Sequence, residues 1–214
     1  MLQLIIAEER DEQRFLALVR AASAPLDLPV WTWSITQGLA RDGESAQYQT
    51  KEPMKALTFV ALLETPGVFV FLDADPALAD PRVVRQIKEI AERARPGQIL
   101  ILATCTSDVR AELSGLALPW KLLPPSSEEV EEIVRRTIEQ LGARRLPVQL
   151  NGDDRRTLVE AVRGLPANQA ERLIQQAALR DGTPSSCGRV GSTRSSSWAS
   201  RARTSVERSS ACTW

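Results

Sequence analysis

Residues 67–75, Gly-Val-Phe-Val-Phe-Leu-Asp-Ala-Asp, constrain the fold more than any other stretch of the chain. Every position from Val68 to Leu72 is apolar, so the segment has no solvent side. A strand of this kind must be covered on both faces, which places it at the centre of a parallel sheet with helices above and below. Pro66-Gly67 bounds it on one side, and Asp73 and Asp75 end it on the other. An α/β fold is therefore expected.

The neighbouring segments supply the partners. Leu2–Ala7 (LQLIIA), Pro29–Thr36 (PVWTWSIT), Gln98–Ala103 (QILILA) and a weaker stretch near Pro119–Leu123 read as strands. Between them run helical patterns at 9–22, at 53–64, after an Asp80-Pro81 start, and over 107–116. The helix after Asp80 carries a stripe of Val83, Val84, Ile87, Ile90, Ala91 and Ala94. Residues 38–51 are polar and read as a loop. The sum is a five-stranded, doubly wound parallel sheet over 1–125.

After Pro124-Pro125 strand signals cease. Ser126-x-x-Glu129 is a capping box, and Val130, Ile133, Val134, Ile138 and Leu141 follow at helical spacing, with Gly142 expected at the helix end. Further helices are expected over 153–163 and from Asn168 to Gly182, giving a small helical unit over 126–182.

Composition narrows the chemistry. The chain has no histidine, which removes Ser-His-Asp and Cys-His machinery and histidine-ligated metals. Cysteines 105, 187 and 212 have no metal-ligand spacing, and an odd count fits a reducing compartment. Cys105, after an apolar strand, is expected to pack as a small hydrophobe. Net charge is zero, no apolar run is long enough to span a bilayer, and the N-terminus lacks a basic leader region. A soluble cytoplasmic protein with no nucleic-acid or membrane partner is expected. Residues 183–214 differ from the rest, with five Arg, one Glu and ten Ser but no Leu, Ile, Met or Phe. This tail is expected to be disordered and dispensable. Out-of-frame translation accounts for its composition best, against a native disordered tail or an Arg/Ser-rich nucleic-acid arm, whose cations would be denser.

The order of five strands followed by helices resembles an AAA+ module with its lid. Gly67–Asp75 resembles a Walker B strand, with Asp73 and Asp75 as its acids. Gln98–Thr104 resembles a sensor-1 strand ending in Thr104. Gly164-Leu165 resembles the lid turn, with Arg172 near a sensor-2 position. The phosphate loop GxxxxGK[ST] is missing. In its place stands Ala7-Glu8-Glu9-Arg10-Asp11-Glu12, with four carboxylates and neither Gly nor Lys. More narrowly, VWTWSITQGL, FLDADPALADPRVVRQIKEIA and LPWKLLPPSSEEV resemble the N-terminal half of two-part AAA-family ATPases of bacteria, cyanobacteria and plastids. That resemblance implies a degenerate module truncated before its ATPase half. ATP and Mg²⁺ would then be cofactors only of the downstream module. The chain would act by contact, with that module or with itself, and Trp31, Trp33 and Leu39 near the second strand are candidate contacts. Packing under a helix is the competing role for the two tryptophans.

A second reading uses the same residues. A phosphoacceptor receiver domain is also a five-stranded doubly wound unit. It would need Glu8/Glu9 for Mg²⁺, Asp73 as phosphoacceptor, Thr104, and Lys121.

Overall fold

The computed structural model describes residues 3–93, 96–106, 110–143 and 152–181. Side chains at 152–154 and 177–181 are excepted, and the expected tail at 183–214, like Ala94 and Gly182, lies outside the described residues. The chain divides into two compact units, 1–122 and 123–214.

The first unit runs β1 (Gln3–Glu8), α1 (Glu12–Ser23), β2 (Val30–Ser34), β3 (Gly38–Arg41), α2 (Pro53–Leu62), β4 (Gly67–Phe71), α3 (Asp75–Leu78), α4 (Pro81–Arg93), β5 (Gln98–Thr104) and β6 (Ala117–Lys121). The strands form one sheet in the order β3-β2-β4-β5-β1-β6. All pairings are parallel except β2 with β3. β4 is central and buried at every position, because its even-numbered residues serve one face and its odd-numbered residues the other. On one face Trp33, Phe69, Phe71, Ile6 and Leu102 form a core with Leu57 and Val60 of α2 and Ile87 of α4. On the other, Val68, Val70, Ile101 and Ala103 pack with Phe15, Leu16 and Val19 of α1.

Six strands stand where five are expected, and the extra one arises in the supposed loop. Gly38 has φ 87°, a left-handed conformation that lets the chain reverse after β2. β3 then pairs back, Trp33 opposite Leu39. The loop beyond it closes this edge: Leu39 N–H donates to Thr50 Oγ1 at 2.9 Å, Gln47 N–H donates to Leu39 O at 2.8 Å, and Trp33 Nε1 donates to Thr50 O at 2.7 Å. A Cβ at Gly38 would approach Thr50 Oγ1 to 2.8 Å, so the position admits only glycine.

Other boundaries also shift. α1 starts at Glu12 and not at residue 9, because Asp11 caps it. No helix forms over 110–116: the bonds Leu113 N–H to Arg110 O and Leu116 N–H to Leu113 O span three residues, and Ser114-Gly115 does not favour a longer run. Residues 107–109 of that expected helix lie outside the described residues. The Asp80-Pro81 start is observed, with Arg82 N–H donating to Asp80 Oδ1 at 2.9 Å.

The second unit holds α5 (Ser127–Ala143), α6 (Gly152–Val162) and α7 (Ala167–Asp181). The capping box forms in both directions: Glu129 N–H donates to Ser126 Oγ at 3.2 Å and Ser126 N–H to Glu129 Oε2 at 2.8 Å. Val130, Ile133, Val134 and Leu141 bury against Leu158, Val162, Ala170 and Ile174. α5 runs through Gly142, which therefore does not end it. Among the described residues no helix is long and apolar enough to cross a membrane.

Candidate functional site

Two acidic corners lie at the C-terminal ends of β1 and β4, with β5 between them in the sheet. The first is the turn Glu9–Asp11 between β1 and α1. Asp11 is buried, and its Oδ1 accepts from Arg14 N–H at 3.2 Å. Its carbonyl takes Phe15 N–H. The first turn of α1 is thus capped from within the chain, at the position where a helix N-terminus otherwise attracts an anion. Glu8, the last residue of β1, is buried and stands in register between Thr104 of β5 and Lys121 of β6. Its carboxylate meets Lys121 Nζ at 3.1 Å and an Arg10 guanidinium nitrogen at 2.9 Å. The hydrogen bond from Lys121 holds its pKa below the usual glutamate range, against the opposing effect of burial. Glu9, half-buried, shifts the other way. Loss of hydration raises its pKa, and the nearby carboxylates Glu12, Asp11 and Asp73 add to the rise.

The second corner follows β4. Asp73 is exposed and left-handed, φ 46°, a conformation aspartate tolerates better than most residues. Leu72 N–H donates to Trp33 O and Ala74 N–H to Ala103 O, so the backbone on both sides of Asp73 is held by neighbouring strands. Asp75 is also exposed, and its Oδ2 accepts Cys105 N–H at 2.9 Å, tying the β4 corner to the end of β5. Thr104 is buried, and its Oγ1 lies 2.6 Å from Thr106 O, to which it donates. Cys105 is exposed and not packed as a small hydrophobe, because β5 ends at Thr104 and the chain turns outward there. The Asp75 carboxylate raises the thiol's pKa, with loss of hydration and then Asp73 adding to the rise, which disfavours the thiolate.

The sheet thus gathers Glu8, Thr104 and Lys121 in one row and sets Glu9 within electrostatic reach of Asp73. The sequence gives no local sign that Lys121 and Arg10 partner Glu8, or that Thr50 secures β3. Arg172 is exposed on α7. Trp31, Trp33 and Leu39 are 8%, 2% and 0% exposed, so they cannot form the proposed contact surface. Trp31 lies 5.7 Å from Phe59 of α2 and Trp33 stacks at 5.0 Å on Phe71, which is packing under a helix.

Neither catalytic reading finds its geometry complete. A triphosphate at the first corner would meet four carboxylates, no glycine, no lysine on the turn, and a helix start already capped by Asp11. These residues do not fit it. Among the described residues, no group of three His, Cys, Asp or Glu side chains is placed to hold a metal ion. The receiver reading fails on topology. In receivers the first strand lies between the second and third, whereas here β1 lies between β5 and β6.

Comparison with known proteins adds family models, two relatives and a fold neighbour. A family model described as "SpoVK-like AAA ATPase, N-terminal domain" matches residues 2–118. The model for the second domain of the same family matches 128–190, running past the composition break at Gly182. Two curated relatives, both described as uncharacterized AAA domain-containing protein ycf46, are similar at low identity. The Trieres chinensis protein is 21% identical over 171 residues, which is 78% of this chain and 33% of the relative. The Pyropia yezoensis protein is 20% identical over 175 residues, 80% of this chain and 35% of the relative. The chain therefore spans about a third of their length. Among solved structures, the FIGL-1 AAA domain in complex with ADP superposes with a TM-score of 0.62 at 12% identity, covering 95% of this chain and 71% of that one. That likeness concerns the fold.

Proposed function

The chain belongs to the SpoVK-like AAA ATPase family, and on that premise we propose that it is a non-catalytic assembly or regulatory module that binds no nucleotide. One observation carries the reading. The turn where an AAA+ module would grip phosphates is three residues long, Glu9–Asp11, and its helix start is filled by the chain's own Asp11 carboxylate. Asp73 and Asp75, in the Walker-B-like position, then have no phosphate-bound Mg²⁺ to act on. Asp75 serves instead as an acceptor for Cys105 N–H. Thr104 in the sensor-1-like position is spent on a backbone carbonyl.

A unit that keeps a buried two-faced sheet without this equipment works through its surface. The partner we propose is the catalytic part of a longer AAA protein of this family, or a second copy of the same chain, in the cytoplasm. The relatives' greater length supports the first.

Calorimetry with Mg-ATP tests the reading: no heat of binding is expected up to millimolar nucleotide. A dissociation constant in the micromolar range, about −8 kcal/mol, with turnover lost in Asp73→Asn, would overturn it. A catalytic AAA module from the same family should show an altered ATPase rate when this chain is added. No association and no rate change at about ten micromolar, well above typical functional affinities, would reject the assembly role.

A further inference from the structure

The edge strand β6 has little of its own to hold it. Among the described residues its one strand neighbour is β1. Of its five residues only Ala117 is buried, and Leu118 is 59% exposed. Trp120 is half-buried, its ring 5.5 Å from Phe15 of α1. Leu122 N–H donates to Glu8 O at 3.3 Å, so the bonds to β1 come from residues 118, 120 and 122. Pro119 then falls on the open side, where its missing N–H breaks no ladder bond and gives an incoming strand no donor. The edge is closed to strand addition, yet its own attachment is thin. Directly beyond β6 the second unit begins, at Leu123.

We propose that Glu8 is a latch that fastens the end of β6 to β1 by charge. Glu8 lies opposite Lys121 in the β1–β6 register, on the same sheet face as Ile6 and Leu102. Its side chain is 8% exposed, and it holds Lys121 at 3.1 Å and Arg10 at 2.9 Å. Partial burial is what makes the pair matter, since fully exposed ion pairs contribute little. The anion is covalently part of β1, so the end of β6 is held at all times.

Amide hydrogen exchange of the full chain tests the latch. In Glu8→Gln and in Lys121→Met, the Trp120 and Leu122 amides should exchange about fivefold faster, the upper range for a surface-accessible ion pair. Val70 in β4 should be unaffected. The double variant should exchange no faster than Glu8→Gln alone, because the two groups act on each other. Lys121→Arg should restore protection. Lys121 is 62% exposed, so its variants will fold. Unchanged exchange in the single variants, or independent effects that multiply in the double variant, would overturn the latch. Calorimetric nucleotide binding bears on the earlier reading and not on this coupling, so the two fail separately.

Discussion

At the end of β1 four carboxylates fall within residues 8–12, and at the end of β4 two fall within 73–75. In the first corner Glu8 is tied to Lys121 and Arg10, and Asp11 to the first turn of α1. In the second Asp73 and Asp75 are exposed, and Asp75 makes one bond to Cys105 N–H. The same residue type is therefore internal ligand in one corner and solvated cap in the other. What separates them is depth and the cations within reach. The last residue of β1 has two cations within reach, Lys121 of β6 and Arg10 of the following turn, while the β4 corner has a backbone donor. Acidic residues at strand ends thus cannot be assigned to metal or phosphate chemistry by type alone.

Both corners rest on the core under β4, and removing that support should erase the comparison. Phe71 is 2% exposed and stacks at 5.0 Å on Trp33. Phe71→Ala should cost about 3–5 kcal/mol in urea unfolding, a large share of the roughly 5–15 kcal/mol typical of a domain. A loss below about 1 kcal/mol would mean that this stack is not part of a packed interior.

The corners themselves should differ more modestly. Asp11→Ala removes a buried helix cap and should cost about 1 kcal/mol. Asp75→Ala removes an exposed acceptor and should cost about 0.5 kcal/mol. Equal or reversed losses in paired urea titrations would break the distinction between internal ligand and solvated cap.

The finest contrast lies between two adjacent residues. Glu8 has its folded pKa lowered, by Lys121 first and Arg10 besides. Its contribution to stability is present above the unfolded value and disappears as pH falls through the folded one. Thr104, its neighbour in β5, is neutral, and burial opposes the two cations. Glu9 has its folded pKa raised, so its charge costs stability above that value and the cost fades as pH falls through the folded pKa towards the unfolded one. At neutral pH Glu8→Gln should lower the melting temperature and Glu9→Gln raise it, each by about 1–3 °C. In acid below the glutamate range both differences should vanish. Shifts of the same sign for the two variants would show that their environments have been misassigned.

How much of this could be read without coordinates depends on the range of each signal. The Ser126–Glu129 box, the Asp80-Pro81 start and the buried run Val68–Phe71 are short-range patterns, and each forms as its residues demand. β3 was hidden because its four residues are flanked by polar turns, and only closure by Gln47 and Thr50 makes Leu39 a buried residue. Trp31 and Trp33 showed from sequence that they share a face. Which face, and that α2 covers it, required the sheet.

The sequence alone determined that a two-faced apolar strand sits inside an α/β unit, that helices follow it, and that the β1–α1 turn offers phosphate no lysine or glycine. These follow from periodicity and residue chemistry within a dozen positions, where chain connectivity fixes the neighbours. Tertiary structure decided that β1 lies between β5 and β6, which excludes the receiver order and brings Lys121 against Glu8. Periodicity states which face of a strand is buried but carries no information about which strand lies beside it. That choice is made by crossover connections and by the packing of distant segments, whose contacts have no trace in local spacing.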